Sequence, residues 1–494
     1  MHRGLTPVWC LLFFICAQVV SAAPPSPPPQ EETPAEIPLV LQEDQIESPS
    51  TLDPGTVKLS GDSERLRPKR AREFQIGTTT VTVTGAAVFD GKYKDNFNLL
   101  KRRNRDEVQL RPRMDLDIIA NFQNGVSLFT ETRIRNKTTL QHGDKPMNNF
   151  ELLFRDFFVN MPLPGSVPAM LRLGRQQFFD VRRWYLNNRL DGIRLFLDPA
   201  PFHLFLSFST PVPSQSDSIR LFDDIFQRRE QTDLIANLTY SLSSKSSIGS
   251  YVIVGSKHEN RIKRGNPREE DPIWLGIRAN GHVNVRFPFR TPKFLRQLFR
   301  PKIKYWLDAA FVTGSAKSKK VRGAGLDMGT TVIARKVALK PYLTLAYAYG
   351  SGDKTTKDHV DHNFRQTGFQ LNSGVFGGVV NFNYYGVLLQ PELSNIHIVT
   401  AGLGFRPSKK SSIEFVYHHY TQDHAFSKLR DESISRNPRG KTTNLGDEFD
   451  VVLGSREFKN IRIRSRNGYF LPGPAYGRRD DPAFFTRLDI QFSF

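Results

Sequence analysis

Cysteine, tryptophan and long apolar runs are scarce in this chain, and each shortage removes a class of protein. The two cysteines, Cys10 and Cys16, both lie near the N-terminus. The remainder therefore has no disulfide, no thiolate nucleophile and no Cys-ligated metal centre. Beyond the N-terminus no apolar run reaches the ~20 residues that a membrane-crossing helix needs. Neither a phosphate-cradling Gly-x-x-x-x-Gly-Lys-Ser/Thr loop nor a Gly-x-Ser-x-Gly elbow occurs, so nucleotide-driven and serine-hydrolase chemistry have no foothold. His418 and His419, with His424 close by, read as loop histidines, because neighbours on a strand face opposite ways and cannot share a metal. The acid pairs Asp223-Asp224 and Glu448/Asp450 read as charge balance rather than as a glycosidase dyad. No catalytic constellation, metal site or cofactor is expected.

What is present is basic charge and regular alternation. The 494 residues carry 69 Lys+Arg against 49 Asp+Glu, a net charge of +20. Arg3, the apolar stretch Val8 to Val20 and the small residues Val20-Ser21-Ala22 have the form of a secretory signal, assigned to residues 1–22. Residues 23–72 are a Pro-, Glu- and Ser-rich segment ending in the basic run Arg65 to Arg72, too poor in apolar residues to build a core and expected to be a disordered periplasmic tail. Its part from 23 to 63 holds eight acids against Lys58, so the excess of cations lies further on. An exported chain of this charge meets acidic lipid headgroups and anionic polysaccharide rather than nucleic acid.

From about residue 76 a period of two takes over. In Gln109 to Ile119 the side chains of Arg111, Arg113, Asp115 and Asp117 share one face, and Leu110, Met114, Leu116 and Ile118 the other. Segments of this kind recur to the C-terminus, among them 151–161, 169–177, 189–198, 272–286, 303–314, 374–386, 411–421 and 458–466. There are eighteen or so, each near the 9–11 residues of a tilted membrane-spanning strand. The last is the clearest: Leu488, Ile490, Phe492 and Phe494 alternate with Arg487, Asp489, Gln491 and Ser493. Such a strand is an aggregation template on an open edge, but is safe when paired in a closed barrel. The expected fold is all-β, a transmembrane antiparallel β-barrel of about 18 strands over residues 73–494, set in outer-membrane lipid. Long polar connections near 211–231, 352–372 and 422–445 are expected to be outer loops.

Arginines inside the expected strands are the chemical signal. A lipid-facing arginine at the bilayer midplane costs roughly 2–4 kcal/mol, so they belong toward the lumen. Ile461 and Ile463 against Arg462, Arg464 and Arg466 show that split. Arg172 and Arg175 differ by an odd number, so a break at Gly174 is needed to put both inside. Guanidinium groups hold carboxylates in two-point contact, which suits a carboxylated polymer. A generic anion-selective pore is the alternative these residues leave open.

Several segments, in order, resemble the alginate-export outer-membrane porins: Leu110-Arg111-Pro112, Arg155-Asp156-Phe157, Leu171 to Gln176, Gly325 to Gly329 and Tyr347 to Asp353. Phe364 to Gly368, Glu392 to Asn395, Gly446 to Val452 and Pro472 to Gly477 extend the likeness over nearly the whole barrel. The resemblance implies an eighteen-stranded barrel that passes a polyuronate outward, with a periplasmic scaffold of a secretion complex as partner. It implies substrate contacts at Arg111, Arg155, Arg175, Arg462 and Arg464, with Asp223 or Asp224 as the acidic counterpart. Ahead of Glu392, where that family places arginines, this chain has Asn381-Phe382-Asn383-Tyr384-Tyr385-Gly386-Val387-Leu388-Leu389-Gln390.

Overall fold

The computed structural model describes residues 72–100, 106–141, 146–210, 219–220, 230–258, 270–285, 301–316, 319–355, 357–430, 433–477 and 480–494. The signal segment, nearly all of the Pro-rich tail, and both Asp223 and Asp224 lie outside the described residues. Among the described residues twenty-four strands follow one another, and the order begins β1 (Arg72–Ile76), β2 (Thr79–Asp95), β3 (Glu107–Leu110), β4 (Arg113–Asn121), β5 (Ser127–Gln141) and β6 (Met147–Leu163). Next come β7 (Ala169–Phe179), β8 (Asn187–Leu197), β9 (Phe202–Ser209), β10 (Ile219–Arg220), β11 (Glu230–Ser243) and β12 (Ser246–His258). Then follow β13 (Glu270–Asn284), β14 (Pro301–Ala316), β15 (Lys319–Ala334), β16 (Tyr342–Gly350), β17 (Val360–Asp361) and β18 (Ser373–Gly374). The chain ends with β19 (Phe382–Asn383), β20 (Ile396–Phe405), β21 (Ser411–Thr421), β22 (Asn444–Ser455), β23 (Ile461–Pro472) and β24 (Ala483–Ser493).

Eighteen antiparallel staves close into a barrel, β3 and β4 being two halves of one stave. That stave is interrupted at Pro112, which has no N–H to give to the ladder. Its carbonyl still accepts Asn136 N at 3.1 Å, so the wall stays joined there. Closure is made by β24 on β2, from Ala86↔Ser493 to Asp95↔Phe484. Phe494 and Gly85 then exchange both backbone hydrogen bonds, at 2.9 and 3.0 Å. The terminal aromatic thus finishes the seam, and no edge is left along it.

Alternation sorts the two faces. On β13, Leu275 and Ile277 are exposed while Gly276 between them and Trp274 and Arg278 on either side are buried. Leu343 and Leu345 on β16, Phe415 on β21 and Phe449 and Leu453 on β22 continue the exposed apolar band. A soluble surface would not carry so large a patch, whereas hydrocarbon accepts it. Short turns such as 122–126, 164–168 and 244–245 gather at one end and longer connections at the other. Barrels of this kind place the short turns in the periplasm.

Three expectations are corrected. Residues 374–386 are not a stave. They belong to the β16–β20 connection, which runs inside the barrel, where Phe376, Val380, Phe382, Tyr384 and Tyr385 are all buried. Packed on both sides, this segment shows apolar alternation without a lipid face. The connection 352–372 likewise turns inward, with Phe364 and Phe369 buried, instead of forming a polar outer loop. His418 and His419 are not loop residues either: both sit in β21, His418 buried and His419 on the opposite face.

Candidate functional site

The lumenal face of β23, β24, β2 and the β3–β4 stave carries a dense cluster of charge. Asp489 on β24 lies 3.5, 2.8 and 3.0 Å from Arg462, Arg464 and Arg466 on β23. On the next stave Asp90 receives Arg487 at 2.7 Å and Arg111 at 2.9 Å, with Arg113 at 4.0 Å. Six arginines thus stand around Asp489 and Asp90 on adjoining staves, Arg113 lying closer still to Asp115, at 3.5 Å, which also pairs with Arg133. Each aspartate is almost wholly buried, and fixes guanidinium groups that otherwise repel one another across the ladder. Arg111 and Arg487 keep about a quarter of their side-chain surface open, at 21 and 26 %. The arrangement holds planar donors rigidly and leaves an excess of positive charge.

Arg155 reaches the lumen by a bulge. The β5–β6 register slips between Glu131↔Asp156 and Thr132↔Phe154, leaving Arg155 unmatched. Arg155 lies 3.5 Å from Glu131, a fully buried carboxylate that Arg189 also approaches at 3.4 Å. Alternation alone could not have shown this inward turn, since Phe154 and Phe157 face lipid on either side of it.

Arg175 marks a larger departure. Pairing of β6 with β7 ends at Phe157↔Arg175, and pairing of β8 with β9 ends at Gly192↔Ser209. Beyond Arg175 and Asp191, the latter still accepting Thr210 N at 3.0 Å, the hairpin has no outer ladder partner among the described residues, and β10 takes its place against Phe154 and Leu153 of β6. The hairpin crosses the lumen to the far wall. Arg175 pairs on it with Asp191 at 2.9 Å. At its tip the Asp180 carboxylate accepts the backbone N–H groups of Arg182, Tyr185 and Leu186, which fixes the turn. Tyr185 stacks on Tyr251 of β12 with centroids 3.7 Å apart. Arg278 on β13 donates to Asp180 at 3.0 Å, and Arg182 donates to Asp327 on β15 at 2.8 Å.

The β16–β20 connection interlocks with that tip. Gln366 Nε2 donates to Trp184 O and Thr367 Oγ1 to Tyr185 O, while Tyr384 OH donates to Arg182 O. Asp327 accepts Tyr385 OH at 3.0 Å and Trp306 Nε1 at 2.8 Å in addition to Arg182. Burial raises the Tyr384 and Tyr385 phenols well above their ordinary range, so both act as neutral donors. The connection then descends to the short-turn end, where Arg406 donates to Gly377 O at 2.6 Å. Returning, it gives Val387 N to Asp450 and Leu388 N and Leu389 N to Glu448. Those two acids therefore hold the backbone of the returning segment. Arg464 Nη1 bonds Asn381 O at 2.9 Å, so the segment without arginines lies directly beside the basic wall.

Nearer the short-turn end, Arg172 on β7 and Arg194 on β8 are directly opposite each other. Among the described residues neither has a carboxylate partner. Arg194 instead lies 3.3 Å from the centroid of Phe178, and Arg172 lies 4.3 Å from that of Phe158. Aromatic faces replace water around these buried cations. Among the described residues no group of three or more His, Cys, Asp or Glu is arranged to hold a metal ion.

Of the sequence-derived site residues, the structure brings Arg111, Arg462 and Arg464 into one basic region, joins Arg155 to it through Glu131, Arg133, Asp115 and Arg113, and places Arg175 on the inserted hairpin. The partner acids Asp90, Glu131 and Asp489 were not among them, nor were the tip residues Asp180 and Arg182. Their signal was in register and in contacts between distant strands, not in local pattern.

A family model described as alginate export matches residues 83–487. Alginate production protein AlgE of Pseudomonas aeruginosa is 24 % identical over 241 residues, 42 % of this chain and 46 % of that protein. Alginate production protein AlgE of Azotobacter vinelandii is 25 % identical over 156 residues, 27 % of this chain and 32 % of that one. The chain thus matches less than half the length of these curated relatives. Among solved structures, Pseudomonas aeruginosa OccK7 (OpdD) aligns with TM-score 0.52 at 10 % identity, over 85 % of this chain and 99 % of the other. Pseudomonas aeruginosa OpdQ aligns with TM-score 0.51 at 10 % identity, over 85 and 99 %. Those two likenesses concern the fold alone.

Proposed function

This chain belongs to the alginate-export family and is an outer-membrane β-barrel, and from that we infer that it is a passive channel through which an anionic exopolysaccharide, alginate or a similar polyuronate, leaves the cell. The observation that carries this reading is the surplus of arginines around Asp489 and Asp90 on adjoining staves. A polyuronate presents a carboxylate on every sugar, and each guanidinium offers it a two-point contact. Conduction needs many moderate sites rather than one strong one. The aspartates serve this by drawing part of each arginine's charge while holding its plane in place. Arg111, Arg462 and Arg464 are assigned to substrate contact, and Arg155 and Arg175 to the lining beside it. A periplasmic scaffold of the secretion machinery would meet the short-turn end, where β1 exposes Phe74 and Ile76.

A second reading, a diffusion porin for small anions, is favoured by one observation: two interlocked segments, 175–191 and 352–395, occupy the lumen. Planar-bilayer recording separates the two. Under a salt gradient the wild-type barrel is expected to prefer anions, and Arg111→Ala with Arg464→Ala to shift the reversal potential toward cation preference. Added oligomannuronate is expected to block the wild-type current at lower concentration than it blocks the double variant. An unchanged reversal potential would sink the arginine lining; unimpeded current in oligomannuronate would favour the small-anion porin.

A further inference from the structure

At the long-loop end of the closure seam, three connections line an open cavity of about 450 Å3. Asn98 lines it from the β2–β3 connection, Ser435, Arg436, Asn437 and Arg439 from the β21–β22 connection, and Tyr476 from the β23–β24 connection. These segments are tied together. Ser435 N donates to Phe97 O at 2.9 Å, Arg439 N to Ala475 O at 2.7 Å, and Asp481 N to Leu99 O at 3.0 Å. Beneath them Leu99, Ile434 and Tyr476 are buried in the core that surrounds the inner connection. The β21–β22 connection rests on that inner connection, through Ser433 N to Leu389 O at 3.0 Å and Arg430 to Glu392 at 2.9 Å. The cavity therefore stands at the lumen mouth and not on the lipid side of the rim.

Its two arginines differ. Arg436 is held on Asp480 by two contacts, at 3.0 and 2.9 Å, and its charge is compensated. Arg439 is exposed, and among the described residues no carboxylate is within ion-pair reach of it. Its guanidinium lies against Gly477, where an added Cβ would stand 2.5 Å from Nη2. Gly477 also has φ +146, a conformation that resists substitution. Among the described lining residues Arg439 is the one guanidinium without a carboxylate, and Asn98, Ser435 and Asn437 stand beside it together with Leu100 and Tyr476, a set that matches one carboxylate flanked by sugar hydroxyls. The volume falls within the ~300–1,000 Å3 of ordinary ligand pockets.

We propose that this cavity is an exit subsite that holds a carboxylated sugar of the polymer, with Arg439 gripping the carboxylate and Asn98, Ser435 and Asn437 contacting hydroxyls. The proposal rests on the export reading and adds a contact outside the lumenal lining. It serves to keep the emerging chain from sliding back between steps of elongation.

The test uses the full barrel in detergent, with Ser427→Cys labelled by an environment-sensitive dye on the same connection. Titration with a mannuronate trimer is expected to give a saturable signal, absent with neutral mannotriose. Arg439→Ala should weaken that response tenfold or more, Arg439→Lys should restore part of it, and Lys459→Ala, an exposed cation in the β22–β23 turn at the other end of the barrel, should leave it unchanged. The exposed position of Arg439 lets its variants keep the parent's thermal melt. Equal response to both trimers, an unchanged titration in Arg439→Ala, or its loss in Lys459→Ala would each overturn the subsite. So would a stronger response to lipopolysaccharide inner-core sugars than to the trimer. Loss of export selectivity is read separately in bilayers, so failure of the conduit and failure of this subsite are distinguishable.

Discussion

Gly174 on β7 and Gly192 on β8 face each other across one rung of the ladder, and at that rung the two strands leave the barrel wall. Gly174 has φ +118, and an added Cβ there would collide with Phe157 O; one at Gly192 would collide with Phe208 O. Only residues without a side chain let the wall close tightly while the hairpin turns inward. Gly174→Val is therefore expected to destabilise the barrel by about 1–3 kcal/mol, from backbone strain and displaced neighbours. Thermal unfolding followed by heat-modified gel mobility measures it, and an unchanged melt would remove the bend from the account.

Asp327 joins both inserted segments to the wall through Arg182, Tyr385 and Trp306. Asp327→Asn leaves Arg182 with less compensation in a buried setting, where breaking an ion pair costs about 3–5 kcal/mol. Part of that cost is escaped if the segments move out of the lumen. Single-channel recording is expected to show larger or more frequent openings in Asp327→Asn than in wild type.

Asp489 makes the opposite kind of variant possible. Asp489→Asn removes the acid shared by Arg462, Arg464 and Arg466. Anion preference should rise, because three cations lose their counter-charge, while stability falls. Reversal potential and thermal melt, measured together, check both signs. A fall in anion preference would mean that these arginines do not face the conducting path.

The outer surface gives an independent check. Leu275 on β13 is 46 % exposed between inward Trp274 and Gly276. Leu275→Arg is expected to lower folding stability in lipid by roughly 2–4 kcal/mol if it sits near the midplane. Refolding into vesicles under denaturant reports the value, and no loss would place Leu275 away from hydrocarbon.

The barrel was legible in the sequence because membrane and water sort side chains with a period of two. Strand β24 shows this plainly: Leu488, Ile490, Phe492 and Phe494 alternate with polar residues right up to the seam. The inner architecture was not legible, for related reasons. Residues 374–386 alternate as a stave does, yet their Phe and Tyr side chains pack against an interior wall. Residues 175–191 begin in true staves, and only contacts with β13 and β15 reveal that they cross the lumen. Arg155 turns inward at a bulge, which no fixed period contains. The arginines themselves stood out locally, whereas Asp489 found its partners through the β23–β24 register and Asp90 met Arg487 only when the first and last strands closed the seam.

Polymer export in cells tests the central claim most directly. In a strain lacking this gene, secreted uronic acid should be lost and be restored by the wild-type chain. Complementation with Arg111→Glu and Arg464→Glu, folded and present in the outer membrane at equal level, should restore little of it. Full secretion by that double variant, or undiminished secretion in the deletion strain, would contradict a conduit built on these arginines.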